Sequence, residues 1–167
     1  MNKTIALVAS LTLPFGIAVA AESGPDATFA MKAAQGGLAE VSEGKLAASK
    51  GSDPKIKEFG EKMVSDHGKA NDELKAVAQK SGVTLPTEAS KKEQDDANKL
   101  GQKMGKDFDE AYAKMMVKDH EEDVALFQKE ADSGSDPNLK AFAQKTLPTL
   151  KEHLSMAKEL QGSSKNK

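Results

Sequence analysis

The stretch SDPKIKEFGEK, residues 52–62, returns as SDPNLKAFAQK at residues 135–145. Both copies hold an apolar residue, a lysine and a phenylalanine at matched offsets behind the same three-residue start. Ser-Asp-Pro is a helix-opening signature. The Ser or Asp side chain accepts from first-turn N–H groups, and proline, which has no N–H, fits the first helical position where none is needed. Each SDP therefore ends one helix and opens the next, so the repeat predicts two helical hairpins.

The remaining boundaries follow from these breaks. Thr28 reads as the N-cap of a first helix over about Phe29 to Ser49. The second helix is predicted from Pro54 to Lys80, stopped by Ser81-Gly82 and the TLP that follows. The third is expected from Phe108 to Ala131 and the fourth from Pro137 to Gln161. Residues 87–104 are strongly polar and read as a short exposed helix. No stretch alternates apolar with polar for the length of a strand. The reading is all-α, an antiparallel up-down-up-down four-helix bundle over residues 29–161 built from the two hairpins.

The ends read differently. Residues 1–20 carry Lys3, an apolar run from Ile5 to Val19 and Ala18-Val19-Ala20, the pattern of a signal peptide cleaved after Ala20. The run is too short, and too interrupted by Pro14 and Gly16, to span a bilayer comfortably. Periplasmic export is expected, with no transmembrane segment in the mature chain. Residues 21–28 read as a flexible leader and 162–167 as a frayed tail.

Composition excludes several classes. The chain has 24 basic residues against 26 acidic and no cysteine, so neither disulfides nor thiolate metal sites are available. Every basic residue is lysine, and the charges are mixed rather than blocked. Nucleic-acid binding, which leans on bidentate arginine, is not expected. No phosphate loop, nucleophile elbow or dinucleotide fingerprint occurs, and the sequence does not say which protein partners, if any, the chain has.

The three histidines carry the functional signal. His67 falls within the apolar stripe Ile56, Phe59, Met63, Ala70, Leu74 and Val77. His120 lies with Met116, Val124 and Phe127, and His153 with Leu150, Met156 and Leu160. Three-and-four spacing turns all three toward the core. Depth agrees as well. His67 and Glu40 are nearly equidistant from the Asp53 turn, as His153 and His120 are from Asp136, which puts the two layers ~20 and ~24 Å from their turns. One inward side chain per helix converges on a single level: Glu40, His67, His120 and His153.

Three imidazoles and a carboxylate suit zinc, copper or iron. Against this stands the ordinary fate of a core histidine, which is to be hydrogen-bonded and structural. Glu43 either joins the site or faces solvent. Asp66 and Asp119 point about 100° away from the adjacent histidines, as solvated residues or as outer partners of the ring nitrogens. Met63, Met116 and Met156 sit within a turn of the histidines. As ligands they would favour copper(I), and as core filler they need no ligand role. Gly36, Gly37 and Gly44 around Glu40 predict a close helix approach or room for a bulky group, since glycine inside a helix costs ~1 kcal/mol. Pro148 should bend the fourth helix ahead of His153.

The segments FAMKAAQGGLAEVSEGKLAASKGSDPKIKEFGEKMVSDHGKANDELKAVAQKSGVTLP (29–86), FDEAYAKMMVKDH (108–120) and FAQKTLPTLKEHLSMAKEL (142–160) resemble an exported bacterial family. It is known as a ferritin-like domain of unknown function and is often labelled an outer-membrane protein. The resemblance implies a ferritin-like bundle without an agreed activity. The wider ferritin-like group places Glu-x-x-His on two of its helices. Here Val64 and Leu150 precede His67 and His153 by three, and His120 stands where a glutamate would be expected, so a mononuclear site fits the residues better. The expected function is binding of one metal ion for metal handling or stress protection. The alternatives are a structural or interaction protein, and a metal-dependent oxidoreductase.

Overall fold

The computed structural model describes residues 24–164, which form five helices and, among the described residues, no strand. They are α1 (Pro25–Lys50), α2 (Pro54–Lys80), α3 (Lys91–Gly101), α4 (Gly105–Ser133) and α5 (Pro137–Ser164). The predicted signal peptide, residues 1–20, lies outside the described residues.

Two ends differ from the sequence reading. Helix α1 begins at Pro25 rather than Phe29, so residues 25–28 of the expected leader are helical. Proline supplies the first helical φ, Asp26 lies in the first turn, and the Thr28 hydroxyl donates to the Gly24 carbonyl at 3.0 Å instead of capping. At the other end α5 runs through Ser164, which makes residues 162–164 of the expected tail helical. It also continues through Pro148, which lies inside the helix. Residues 87–104 do contain a helix. Its start is a capping box in which Ser90 and Glu93 satisfy each other's backbone N–H.

Helix α1 packs most extensively on α2, and α4 on α5; narrower seams join α1 to α4 and α2 to α5. Helix α3 lies against α1 and α4. The two SDP turns are each held by an aspartate from the other hairpin. Asp109 of α4 accepts from the Ser52 and Asp53 N–H groups, both at 2.9 Å, and from the Ser52 hydroxyl. Asp26 of α1 accepts from Ser135 N–H at 3.1 Å and Asp136 N–H at 2.7 Å. Asp26 and Asp109 are separated in sequence by the same interval as Ser52 and Ser135, so the repeat extends to the residues that latch its turns.

The apolar core is divided. One cluster gathers Phe29, Ala30, Leu74, Phe127, Leu139 and Phe142; the other gathers Ala47, Ile56, Phe59, Met63, Tyr112, Met116 and Leu160. Along every long helix the interval between the two clusters holds a buried polar residue: Glu40, His67, His120 and His153. Apolar burial of this kind contributes about 1.5–3 kcal/mol per large side chain. The polar level between the clusters costs free energy unless its groups are satisfied.

Candidate metal centre

The structure brings together all four residues that counting from the turns placed at one depth. The ring centroids of His67, His120 and His153 are separated by 5.3–5.5 Å, a nearly equilateral triangle. All three rings are buried, and one donor atom from each lies within 4.8 Å of the others, a set that could hold a metal ion. Phe59 presses on His153 edge to face.

Partners at the back of each ring determine which nitrogen faces inward. His120 Nδ1 is 3.0 Å from the Met116 carbonyl. A carbonyl only accepts, so Nδ1 carries the proton and Nε2 a lone pair. His153 Nε2 is 3.1 Å from Asp66 Oδ2, which likewise puts the proton on Nε2 and leaves Nδ1 bare. These two bare nitrogens face each other at 3.4 Å with no proton to share. His67 Nδ1 approaches Glu40 Oε2 at 2.8 Å, and its buried Nε2 has no hydrogen-bond partner. Glu40 Oε1 is also 3.3 Å from His120 Nδ1. Neither carboxyl oxygen of Glu40 has an aligned donor. An unpaired buried polar atom costs about 1–3 kcal/mol.

Electrostatics keep the level uncharged. Burial drives the Glu40 carboxyl well above the usual range, reinforced by the charge of Asp119. Burial lowers His67, takes His120 to about 3 with help from the other two imidazoles, and takes His153 to about 4. Asp66 is held below its ordinary value despite partial burial, by Lys62 at 3.1 Å and by His153. It is therefore an anion behind a neutral ring.

Other expected positions sort as follows. Glu43 does not face solvent: it is buried, its Oε2 is unpartnered, and burial followed by the charges of Asp119 and Glu40 pushes it up to about 8. Met63 and Met116 are fully buried in the second apolar cluster, and Met156 packs against that cluster. Asp119 is half-buried and pairs with Lys118 at 3.3 Å. Sequence reasoning missed Asp123, whose carboxyl burial drives well up and whose nearest strong influence is Glu40. The repeat held the signal, because Asp123 occupies in the second hairpin the position of Glu40 in the first.

These shifts set a pH dependence for the metal-free protein. Above about pH 7.5 the histidines are almost entirely neutral in both folded and unfolded chains. Glu43 is protonated when folded and ionised when unfolded. Its stabilising contribution is full below the unfolded value of 4.5 and is lost as pH rises through about 8. Glu40 and Asp123 act in the same direction. Below pH 6.5 the sign reverses for the imidazoles, since the unfolded chain binds protons that the folded rings refuse until about pH 4 or 3. Urea unfolding between about pH 7.5 and 8.5, above the opposing contribution of the imidazoles, should show stability falling by up to ~1.4 kcal/mol per pH unit for each such carboxyl. Glu43→Gln should flatten that limb, and a variant that kept the wild-type slope would refute the assignment.

Among the described residues, no helix is long and apolar enough to cross a membrane. No curated protein matches the chain. Among solved structures, a DUF305 fragment from Deinococcus radiodurans is similar with a TM-score of 0.73 at 10% identity, over 84% of this chain and 97% of that one. A DUF305 protein of Streptomyces coelicolor, provisionally described as secreted, is similar with a TM-score of 0.72 at 14% identity, over 87% of this chain and 96% of that one. At these identities the likeness speaks for the fold alone. The sequence itself matches the family described as Domain of unknown function (DUF4142) across residues 16–160, and the chain belongs to that family.

Proposed function

We propose that the protein binds one transition-metal ion through His67 Nε2, His120 Nε2 and His153 Nδ1, for metal handling or stress protection outside the cytoplasm. The observation that carries this is the pair of bare nitrogens on His120 and His153, facing at 3.4 Å with their protons committed to Met116 and Asp66. Two lone pairs at that distance repel each other unless a cation lies between them. A tetrahedral ion with ~2.0–2.1 Å bonds to nitrogen places adjacent donors about 3.4 Å apart. His67, with its unpartnered Nε2, supplies the third donor.

Glu40, expected from the sequence as a fourth ligand, lies at the Nδ1 side of both His67 and His120. There it stands behind those rings rather than among the donors, while Asp66, which accepts the His153 Nε2 proton, fixes that ring's tautomer and strengthens it as a donor. Nitrogen donors of borderline softness favour zinc, copper or iron.

The antiparallel packing of neighbouring long helices belongs to this proposal, in the order up-down-down-up rather than the up-down-up-down expected from the sequence. It is supported by the composition of each apolar cluster, which combines the start of α1 and α5 with the end of α2 and α4, or the reverse. Helix α1 runs against both α2 and α4, so α2 and α4 point the same way and the segment between them crosses from one end of the bundle to the other. The ferritin-like classification and the outer-membrane label rest on sequence resemblance. Export is supported by the signal pattern and by the provisional description of the Streptomyces relative.

Elemental analysis of protein recovered from the exported fraction tests the reading. About one equivalent of zinc, copper or iron per chain is expected, lost in a His67→Ala variant. Protein that holds none of the three, even after incubation with each, would return the histidines to a purely structural role.

A further inference from the structure

The four-helix packing leaves two narrow seams, α1 with α4 and α2 with α5, and they are treated differently. Helix α3 lies across the first, seated on both α1 and α4. Nothing among the described residues covers the second. There the surface opens into a cleft of about 340 Å³ whose lining includes both His67 and His153. Two ion pairs bridge its mouth from helix to helix: Lys62 of α2 to Glu152 of α5 at 3.3 Å, and Glu73 of α2 to Lys145 of α5 at 2.8 Å. Between them Asp66 accepts from Lys62 on its outer side and from His153 Nε2 on its inner side.

We propose that the α2–α5 cleft is the port through which the metal ion enters and leaves, with the two cross-helix ion pairs as its gate and Asp66 as the first carboxylate a dehydrating cation meets. This rests on the metal-binding reading above. A cation reaching the three rings by another route would have to part α1 from α2 or α4 from α5, the most extensive contacts of the fold, or displace α3 from the α1–α4 seam. The port requires only that exposed side chains move. Exposed ion pairs contribute about 0–1 kcal/mol each, so opening them is cheap on the timescale of side-chain motion. Asp66 lines this route, is partly exposed, and touches both the gate lysine and a ring of the site. It can exchange Lys62 for the incoming cation without leaving His153.

A barrier on a route acts equally on entry and exit and leaves the equilibrium unchanged, which separates a port from a ligand. The experiment measures uptake and chelator-driven release of zinc(II), copper(II) and, without oxygen, iron(II), each supplied as its simple salt. Thr149 lines the cleft and touches neither gate pair nor ring in any recorded bond, so Thr149→Trp should plug it. Uptake and release should slow together by tenfold or more, with Kd within twofold of wild type. The double variant Glu73→Gln/Lys145→Gln removes one gate pair at constant net charge and should speed both rates by a common factor. Ala125→Trp, on an exposed face of α4, should change neither. Rates within twofold of wild type in both cleft variants would overturn the port while leaving the metal site standing, as would a change in Kd carried by one rate alone. A wild-type protein that takes up none of the three metals would overturn the site and the port together.

Discussion

His120→Leu is expected to unfold at the same temperature with chelator as with zinc, copper or iron, whereas the wild-type protein gains stability from at least one of them. The gain follows the ratio of metal to dissociation constant and is ~2.7 kcal/mol at a hundredfold excess. For a chain of this size that corresponds to roughly 5–10 °C in Tm. The metal-free comparison makes the result interpretable. His120 is fully buried, and its side chain has the Met116 carbonyl at Nδ1 and the bare His153 nitrogen at Nε2. The Met116 carbonyl, one turn back, still has the helical N–H of residue 120 when the ring is removed. Leucine, of similar size, also removes a repulsion between lone pairs. The metal-free variant should therefore be as stable as wild type or more so. Thermal unfolding of both proteins, with chelator and with each metal, tests this. A wild type indifferent to all three metals would remove the basis for the site.

How much of this was readable in the sequence depends on which quantities a helix fixes by itself. Rise per residue is fixed and the two turns are short, so counting from Asp53 paired Glu40 with His67, and counting from Asp136 paired His120 with His153. The two pairs meet because the turns lie at opposite ends and both pairs fall near mid-helix, which the counting itself did not establish. Ring orientation is not fixed in this way. Whether Glu40 joins the donors or stands behind them depends on rotamers chosen by packing between helices, and no spacing rule reports that. The start of α1 was misplaced because Gly24-Pro25-Asp26 has the composition of a leader; its helical role depends on the Asp26 carboxylate reaching the α4–α5 turn. Glu43 had two readings because α3, whose Glu93 and Asp96 act on it, could not be placed against α1 from the sequence. Residues 87–104 read correctly as a polar helix, but nothing in their pattern indicated that the helix would lie over α1 and α4. Asp123 was legible in principle, from the repeat, and Asp66 was foreseen only as one of two roles.

The glycines around Glu40 lead to the second large effect, because they set how closely α1 and α2 approach. A Cβ on Gly60 would lie 2.7 Å from the Gly44 carbonyl oxygen, and 2.8 Å from both the Ala47 Cβ and the Ala48 N. A Cβ on Gly44 would meet the Gly60 carbonyl at the same 2.7 Å. These are backbone atoms and a Cβ, with no flexible end to swing away, so the helices themselves must part. Gly60→Ala should therefore destabilise by about 1–3 kcal/mol or more, the cost of overpacking, even though alanine is the better helix former by ~1 kcal/mol. Gly68, on the same helix, has nothing within 4 Å of the position its Cβ would take. Gly68→Ala should give the intrinsic gain alone, about 0.5–1 kcal/mol of stabilisation. One substitution type within one helix thus has opposite signs, decided by a neighbour's backbone. The displacement also reaches the site, because Glu40 lies one turn from Gly44 and His67 two turns from Gly60. Parting α1 from α2 moves the carboxyl away from the ring it approaches at 2.8 Å. Urea unfolding of the three proteins, followed by metal titration of Gly60→Ala, should show lower stability and weaker metal binding together. If Gly60→Ala were stabilising, as expected of Gly68→Ala, the close approach would not exist, and the glycines of α1 would need another explanation.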